Sequence, residues 1–329
     1  MKKWLMFLVF TLILVIPLTA CNQNNHEQIK LAEVTHSIFY APLYVAMSEG
    51  FFEAEGLDVE LTTTWGGDKT MTALLSDGAD IALVGSETSI YVHSQGSSDP
   101  VINFAQLTET DGTFLVSREK IDNFEWDLLK DSTFLGQRKG GMPQMAGEYV
   151  LKQHGIDPKS DLELIQNVDF ANIPSAFASG TGDFVQLFEP TASIFEQEGT
   201  GHIVASFGTE SGKVPYTTFM SKESFLNENE ATVRKFTSAI YKAQQWVAEK
   251  SVAEIAKSIE PHFEDTELSL IETVVERYKQ QGSFSTDPIL DEEEWNQLQN
   301  IMDEAGELPT RVDYDTLVNT IYAEEVAGK

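Results

Sequence analysis

The sequence predicts an α/β protein of two α/β lobes joined by two hinge crossings, with extra C-terminal helices on the first lobe. Three observations predict it. Short apolar runs alternate with helix-period stretches from residue 29 onward, the pattern of parallel strands joined by crossover helices. Polar breaks at 108–112 and 208–213 interrupt that alternation and read as the chain passing from one lobe to the other and back. Beyond residue 220 the pattern turns helical, and 329 residues are enough for two lobes with cores of their own.

Residues 29–34 read as the first strand. Pro42 then opens a helix where its missing N–H costs nothing, with Leu43, Met47 and Phe51 on one face and Gly50 and Gly56 punctuating its end. A strand at 58–63, a short helix at 70–76 stopped by Gly78, and a strand at 81–84 follow, after which Ser86 caps the next helix. Strands at 101–107 and 113–117 flank the first crossing. In the second lobe, strands at 133–137, 163–168, 184–188 and 203–207 alternate with helices at 143–154, 174–179 and 191–197. The chain re-enters the first lobe as a strand at 214–220. Asn227 with Glu230, Ser251 with Glu254 and Asp291 with Glu294 then repeat one capping arrangement. Val233, Phe236, Ile240, Ala243 and Val247 recur at helical spacing, and Gly282 and Gly306 follow helix ends. These helices are expected to pack on the first lobe. The acidic cluster 291–294 reads as a helix start favoured by the dipole, not as a metal site. The expected division is a signal segment at 1–20, a tether at 21–28, lobe 1 at 29–110, lobe 2 at 111–210, and the lobe 1 return with the C-terminal helices at 211–329.

The N-terminus carries Lys2 and Lys3, an apolar run at 4–16, and Pro17-Leu18-Thr19-Ala20-Cys21. That run is shorter than the roughly 20 residues a spanning helix needs, so it reads as a secretory signal that is removed. Leu18-Thr19-Ala20-Cys21 resembles a bacterial lipobox, which implies acylation of Cys21 and anchoring on the extracytoplasmic face of the cell membrane. Cys21 is the only cysteine, so the folded part has no intramolecular disulfide, cysteine nucleophile or Cys-based zinc site. A net charge of −30 excludes nucleic acid as a partner. The six histidines show no metal-binding spacing, and no hydrolase elbow, Walker loop or dinucleotide fingerprint occurs. Neither catalysis nor a cofactor is expected.

Ligands of open α/β sheets lie beyond the carboxyl ends of strands, where helix N–H groups are unpaired. That rule selects Ser37, Phe39 and Tyr40 after the first strand, Trp65, Gly67 and Asp68 after the second, and Ser86, Glu87 and Thr88 after the third. The second lobe contributes Gly141, Gln144 and Glu189, and the crossings contribute Glu109 and Tyr216. Each has a plainer alternative. Trp65, Phe39 and Tyr40 are equally core aromatics, Ser86 and Thr88 caps, Glu87 a first-turn acid, and the glycines turn residues. Binding requires that Trp65, Glu87 and Glu189 open on one cavity.

Pro42-Leu43-Tyr44-Val45-Ala46-Met47, Glu49-Gly50-Phe51-Phe52 and Gly56-Leu57-Asp58-Val59-Glu60 together resemble the opening of one group of ABC-transporter solute-binding proteins. That group serves alkanesulfonates, taurine, nitrate and thiamine-pyrimidine precursors. Gly67, Asp77-Gly78-Ala79-Asp80-Ile81-Ala82 and Phe188-Glu189-Pro190 also match, so the resemblance runs from about residue 29 to 248. It implies a periplasmic-binding-protein fold that closes about its hinges on a small-molecule ligand, a monomer, and partnership with a permease and an ATPase. Where relatives often have small or apolar residues, this chain has Glu87. A carboxylate there repels sulfonate or nitrate and accepts hydrogen bonds from amino groups, which with the aromatics points to an amino-substituted heteroaromatic such as a thiamine pyrimidine precursor. The alternatives are an alkanesulfonate, taurine or nitrate binder, and an enzyme like the pyrimidine-phosphate synthase that shares this fold.

Overall fold

A computed structural model of the chain describes residues 26–329, so the signal segment and Cys21 lie outside the described residues. The first lobe begins with β1 (Glu27–Glu33), a 3-10 turn Ile38–Tyr40, α1 (Ala41–Ser48) and α2 (Phe51–Ala54). β2 (Leu57–Thr63), α3 (Gly67–Leu75), β3 (Ile81–Gly85), α4 (Glu87–Ser94) and β4 (Val101–Thr108) complete the first passage. The second lobe holds β5 (Thr113–Ser117), β6 (Thr133–Leu135), α5 (Met142–Gln153), β7 (Glu163–Ile165) and α6 (Ile173–Ala178). It ends with β8 (Phe184–Phe188), α7 (Thr191–Glu198), β9 (His202–Ser206) and α8 (Phe207–Ser211). β10 (Thr217–Lys222) returns the chain to the first sheet. The helices α9 (Glu223–Glu228), α10 (Glu230–Glu249), α11 (Val252–Ile259), α12 (Leu268–Gln281), α13 (Glu292–Ala305), α14 (Tyr314–Leu317) and α15 (Ile321–Ala327) follow.

The two sheets are built alike. Their strand orders are β2-β1-β3-β10-β4 and β7-β6-β8-β5-β9. In each, three parallel strands are joined by crossover helices, and the strand arriving from the other lobe inserts antiparallel in fourth place. The central strands β3 and β8 are buried on both faces, which is why they read as near-continuous apolar runs.

α10 buries Val233, Phe236, Ile240, Ala243 and Val247, the stripe its periodicity predicts, and packs on α1 and α2. Ser251 and Glu254 form the predicted capping box, and Gly282 and Gly306 take the left-handed conformation just past α12 and α13. Other expectations need correction. Asn227 lies inside α9 and caps nothing; Asn229 precedes α10, and its side chain donates to the Phe225 carbonyl. Asp291 stands before α13 without a side-chain cap bond, while Glu294 accepts from Gln106 Nε2. The second polar break is not a plain loop. Residues 207–211 form α8, closed by a bond from Thr209 N–H to Ser206 Oγ, and the chain crosses at 212–216. Nor do all C-terminal helices keep to the first lobe: α13 packs on α5, and α12 sends Arg277 to Glu189 and Glu196 of the second lobe.

Candidate functional site

Two helix faces and one loop enclose a cavity of about 420 Å³ between the lobes, within the size range of small-molecule sites. α3 contributes Asp68, Met71, Thr72 and Leu75, and α4 contributes Glu87, Thr88, Tyr91 and Val92, with Gln95 just past its end, both sets at helical spacing. The second lobe supplies the loop from Gln137 to Pro143, with Phe170 and Phe188. Tyr40 and Tyr216 line the base. Three contacts tie the lobes together around it: Arg138 pairs with Asp68 at 2.8 Å, Lys69 with Asp169 at 3.6 Å, and the Met142 N–H donates to Glu87 Oε1 at 3.0 Å.

Glu87 dominates the electrostatics. Its side chain is 3% exposed, and burial pushes its carboxyl up to about 7 against the opposing pull of its own backbone N–H and that of Met142. Its second oxygen, Oε2, has no hydrogen-bond partner. Gln137 is the counterpart from the other lobe. Its Nε2 donates to the Gln186 carbonyl at 2.6 Å, which orients the amide and leaves the buried Oε1 without a partner. The two lining cations are both engaged, Arg138 with Asp68 and Lys139 with Glu307 at 3.3 Å.

Of the residues selected from sequence, Tyr40, Gly67, Asp68, Glu87, Thr88, Gly141 and Tyr216 line this cavity. The others do not. Trp65 adopts a left-handed φ of 59° and is 45% exposed, because the backbone reversal through Gly66 turns it outward. Glu189 is buried in a separate cluster, where it accepts from Ser193 N–H, Ser193 Oγ and Arg277 Nη1, each at 2.8 Å. Trp65, Glu87 and Glu189 therefore do not share one cavity. Residues of both lobes still converge on a single gap, with Glu87 the one of the three that lines it.

Ser37 caps the 3-10 turn by accepting from Phe39 N–H, and its hydroxyl donates to the Glu189 carbonyl. Phe39 packs among Phe188, Tyr216 and Tyr278 against the backbone of Gly112, filling the space where the lobes meet. Ser86 stands at the N-cap position but makes no cap bond and donates to the Pro215 carbonyl instead. Glu109 pairs with Lys213 at 2.8 Å, joining the two crossings. Gln144 accepts from Gly140 N–H at 2.8 Å and donates to Glu148, holding the lining loop from behind. Tyr91, Gln137 and Phe170 escaped sequence reasoning. Tyr91 was within reach of it, lying one turn beyond Glu87 on α4.

Among the described residues no group of three or more His, Cys, Asp or Glu side chains is placed to hold a metal ion, and no helix is long and apolar enough to cross a membrane.

Comparison with known proteins places this geometry in a family. The chain is 63% identical over 333 residues to "Putative binding protein YtlA" of Bacillus subtilis (strain 168), covering all of both chains. Its fold matches the alkanesulfonate-binding protein SsuA of Xanthomonas axonopodis pv. citri bound to MOPS, with a TM-score of 0.72, 16% identity, and 89% and 98% of the two chains covered. It also matches the periplasmic nitrate-binding protein NrtA of Synechocystis PCC 6803, with a TM-score of 0.71, 18% identity, and 92% and 88% covered. Both likenesses establish the periplasmic-binding-protein fold. The NMT1-like family model matches residues 22–260, and the chain, with two lobes that meet at a ligand-sized cavity, belongs to that family.

Proposed function

We propose that the chain captures a small heteroaromatic amine, such as a thiamine pyrimidine precursor, outside the cytoplasm and delivers it to an ABC permease driven by an ATPase. In this reading Cys21 carries the lipid that holds the protein at the membrane. The observation that carries the ligand class is that two residues lining the cavity, Glu87 and Gln137, each hold a buried acceptor, Oε2 and Oε1, without a protein donor, which a ligand would reach on displacing the groups that cover it. A buried acceptor without a donor costs about 1–3 kcal/mol, and ligand N–H groups would remove that cost. Tyr40, Tyr91, Phe170, Phe188 and Tyr216 make the lining rich in aromatic residues, which suits a flat ring.

The second reading, an alkanesulfonate, taurine or nitrate binder, draws support from the likeness to SsuA and NrtA. Against it, an anion in this cavity meets the Glu87 carboxylate, and both lining cations are already paired among the described residues. An enzyme of the pyrimidine-phosphate synthase kind would instead turn its ligand over.

A thermal-shift and calorimetric screen of the mature protein against 4-aminopyrimidines, methanesulfonate, taurine and nitrate separates these readings. Stabilisation by an aminopyrimidine recovered unchanged by mass spectrometry is the expected result. A shift with a sulfonate and none with any aminopyrimidine would overturn it. Release of a Cys21→Ala protein into the medium would test the anchor.

A further inference from the structure

Three helices, α3, α4 and α5, start at the cavity, at Gly67, Glu87 and Met142. Helix N-termini present free N–H groups and a partial positive charge, and the glycines at 66–67 and 140–141 leave the backbone of two of them uncovered. Such an arrangement receives anions. Here the position between α4 and α5 is already filled: the Glu87 carboxylate takes the Met142 N–H through Oε1 at 3.0 Å. It reaches that position by folding back over Gly85, where a Cβ would collide with Glu87 Oε2. The carboxylate is buried, and Oε2 is unpartnered, so it sits there without complete internal satisfaction.

We infer that Glu87 is a tethered anion, occupying the anion-receiving position between the starts of α4 and α5 so that the cavity rejects free oxyanions. The consequence is a specificity set by one side chain. With Glu87 present, a sulfonate or nitrate meets a filled position and, above about pH 7 where the carboxyl is ionised, a like charge. With the side chain shortened, the Met142 N–H and the start of α4 face an empty, less negative space. The inference rests on reading this cavity as the solute site, but not on an amine as its occupant.

The test is a gain of binding, which misfolding cannot mimic. Wild type, E87A and E87S are titrated calorimetrically with methanesulfonate, nitrate and 4-aminopyrimidine, with circular dichroism and thermal unfolding as checks on folding. The serine variant keeps a residue favoured at helix starts, so a folded short-side-chain protein is available if alanine fails. At least tenfold tighter binding of methanesulfonate or nitrate by a folded variant than by wild type is expected. Folded variants that gain affinity for neither oxyanion, or a wild type that binds them equally well, would overturn the inference. Absence of 4-aminopyrimidine binding by wild type would count against the amine reading alone, since the oxyanion comparison is independent of it.

Discussion

The Tyr216 hydroxyl donates to Asp111 Oδ2 at 2.7 Å, so the two segments that carry the chain between its sheets are bonded side chain to side chain. Asp111 is fully buried, and burial raises its carboxyl to about 6 despite donors from Thr113 and Tyr216. α12 braces the same point, with Tyr278 donating to the Gly112 carbonyl at 2.8 Å and Gln281 to the Asp111 carbonyl at 2.7 Å. Tyr216→Phe removes a donor from a buried carboxylate, which costs about 1–3 kcal/mol. The loss is expected to be larger at pH 8, where Asp111 is ionised, than at pH 5, where it holds its proton. Urea unfolding at both pH values measures it, and an unchanged midpoint would remove this bond from the account of the hinge.

Glu87→Gln is expected to stabilise the protein in a pH-dependent way. A carboxyl raised from 4.5 to about 7 keeps its proton in the folded chain across a window where the unfolded chain releases it. Wild-type stability therefore falls as pH rises from 4.5 to 7, by about 3 kcal/mol in all. The glutamine amide does not titrate, so the advantage of the variant should be absent at pH 4 and near its maximum at pH 8. Equal stability gains at the two extremes would show that ionisation is not the cause. Aminopyrimidine affinity should fall in the same variant, because the charged acceptor is gone.

Arg277 is the cation that balances buried Glu189, and it also reaches Glu196 at 3.2 Å. Replacing it with methionine keeps most of the apolar stem and removes the charge. The expected cost is about 3 kcal/mol, the low end for breaking a buried pair, because Arg277 is part-exposed and Ser193 still donates twice to Glu189. Arg277→Lys should recover part of that loss. Ligand affinity should stay within a factor of two or so, since Glu189 lies outside the cavity wall, and a large affinity loss would contradict this placement.

Trp65→Gly tests a residue that its surroundings in sequence made attractive. A non-glycine residue in the left-handed region carries a backbone cost of roughly 1–2 kcal/mol, and here the side chain is half exposed. The variant should match or exceed wild-type stability by up to about 1 kcal/mol with unchanged ligand affinity. A tenfold loss of affinity would return Trp65 to the site.

The sheets were legible in the sequence because buried parallel strands admit little besides apolar residues, as in β3 and β8, and because glycines mark the ends of α12 and α13. The short helix α8 was not. Gly208 within it reads as a breaker, yet a side chain there would strike the Asp111 carbonyl and Gln281, a tertiary requirement invisible in the local pattern. In the site, the strand-end rule located the right loops but only half of its selected residues, seven of fourteen, line the cavity. Trp65 and Gly67 are two residues apart, and the dihedral reversal between them sends one into solvent and leaves the other on the wall. Glu87 was found because a carboxylate at that place is chemically conspicuous. Gln137 was missed because an amide at the end of a short strand carries no signal until its nitrogen is seen to be committed to Gln186.

The insertion of β10 between β3 and β4 has a consequence for synthesis. As the polypeptide leaves the ribosome, every strand of the second sheet emerges in one uninterrupted stretch and can pair at once, whereas the first sheet stays split between β3 and β4 until Thr217–Lys222 arrives. The portion made first is thus completed last. During that interval the open edges of β3 and β4 are the surface a chaperone would have to shield.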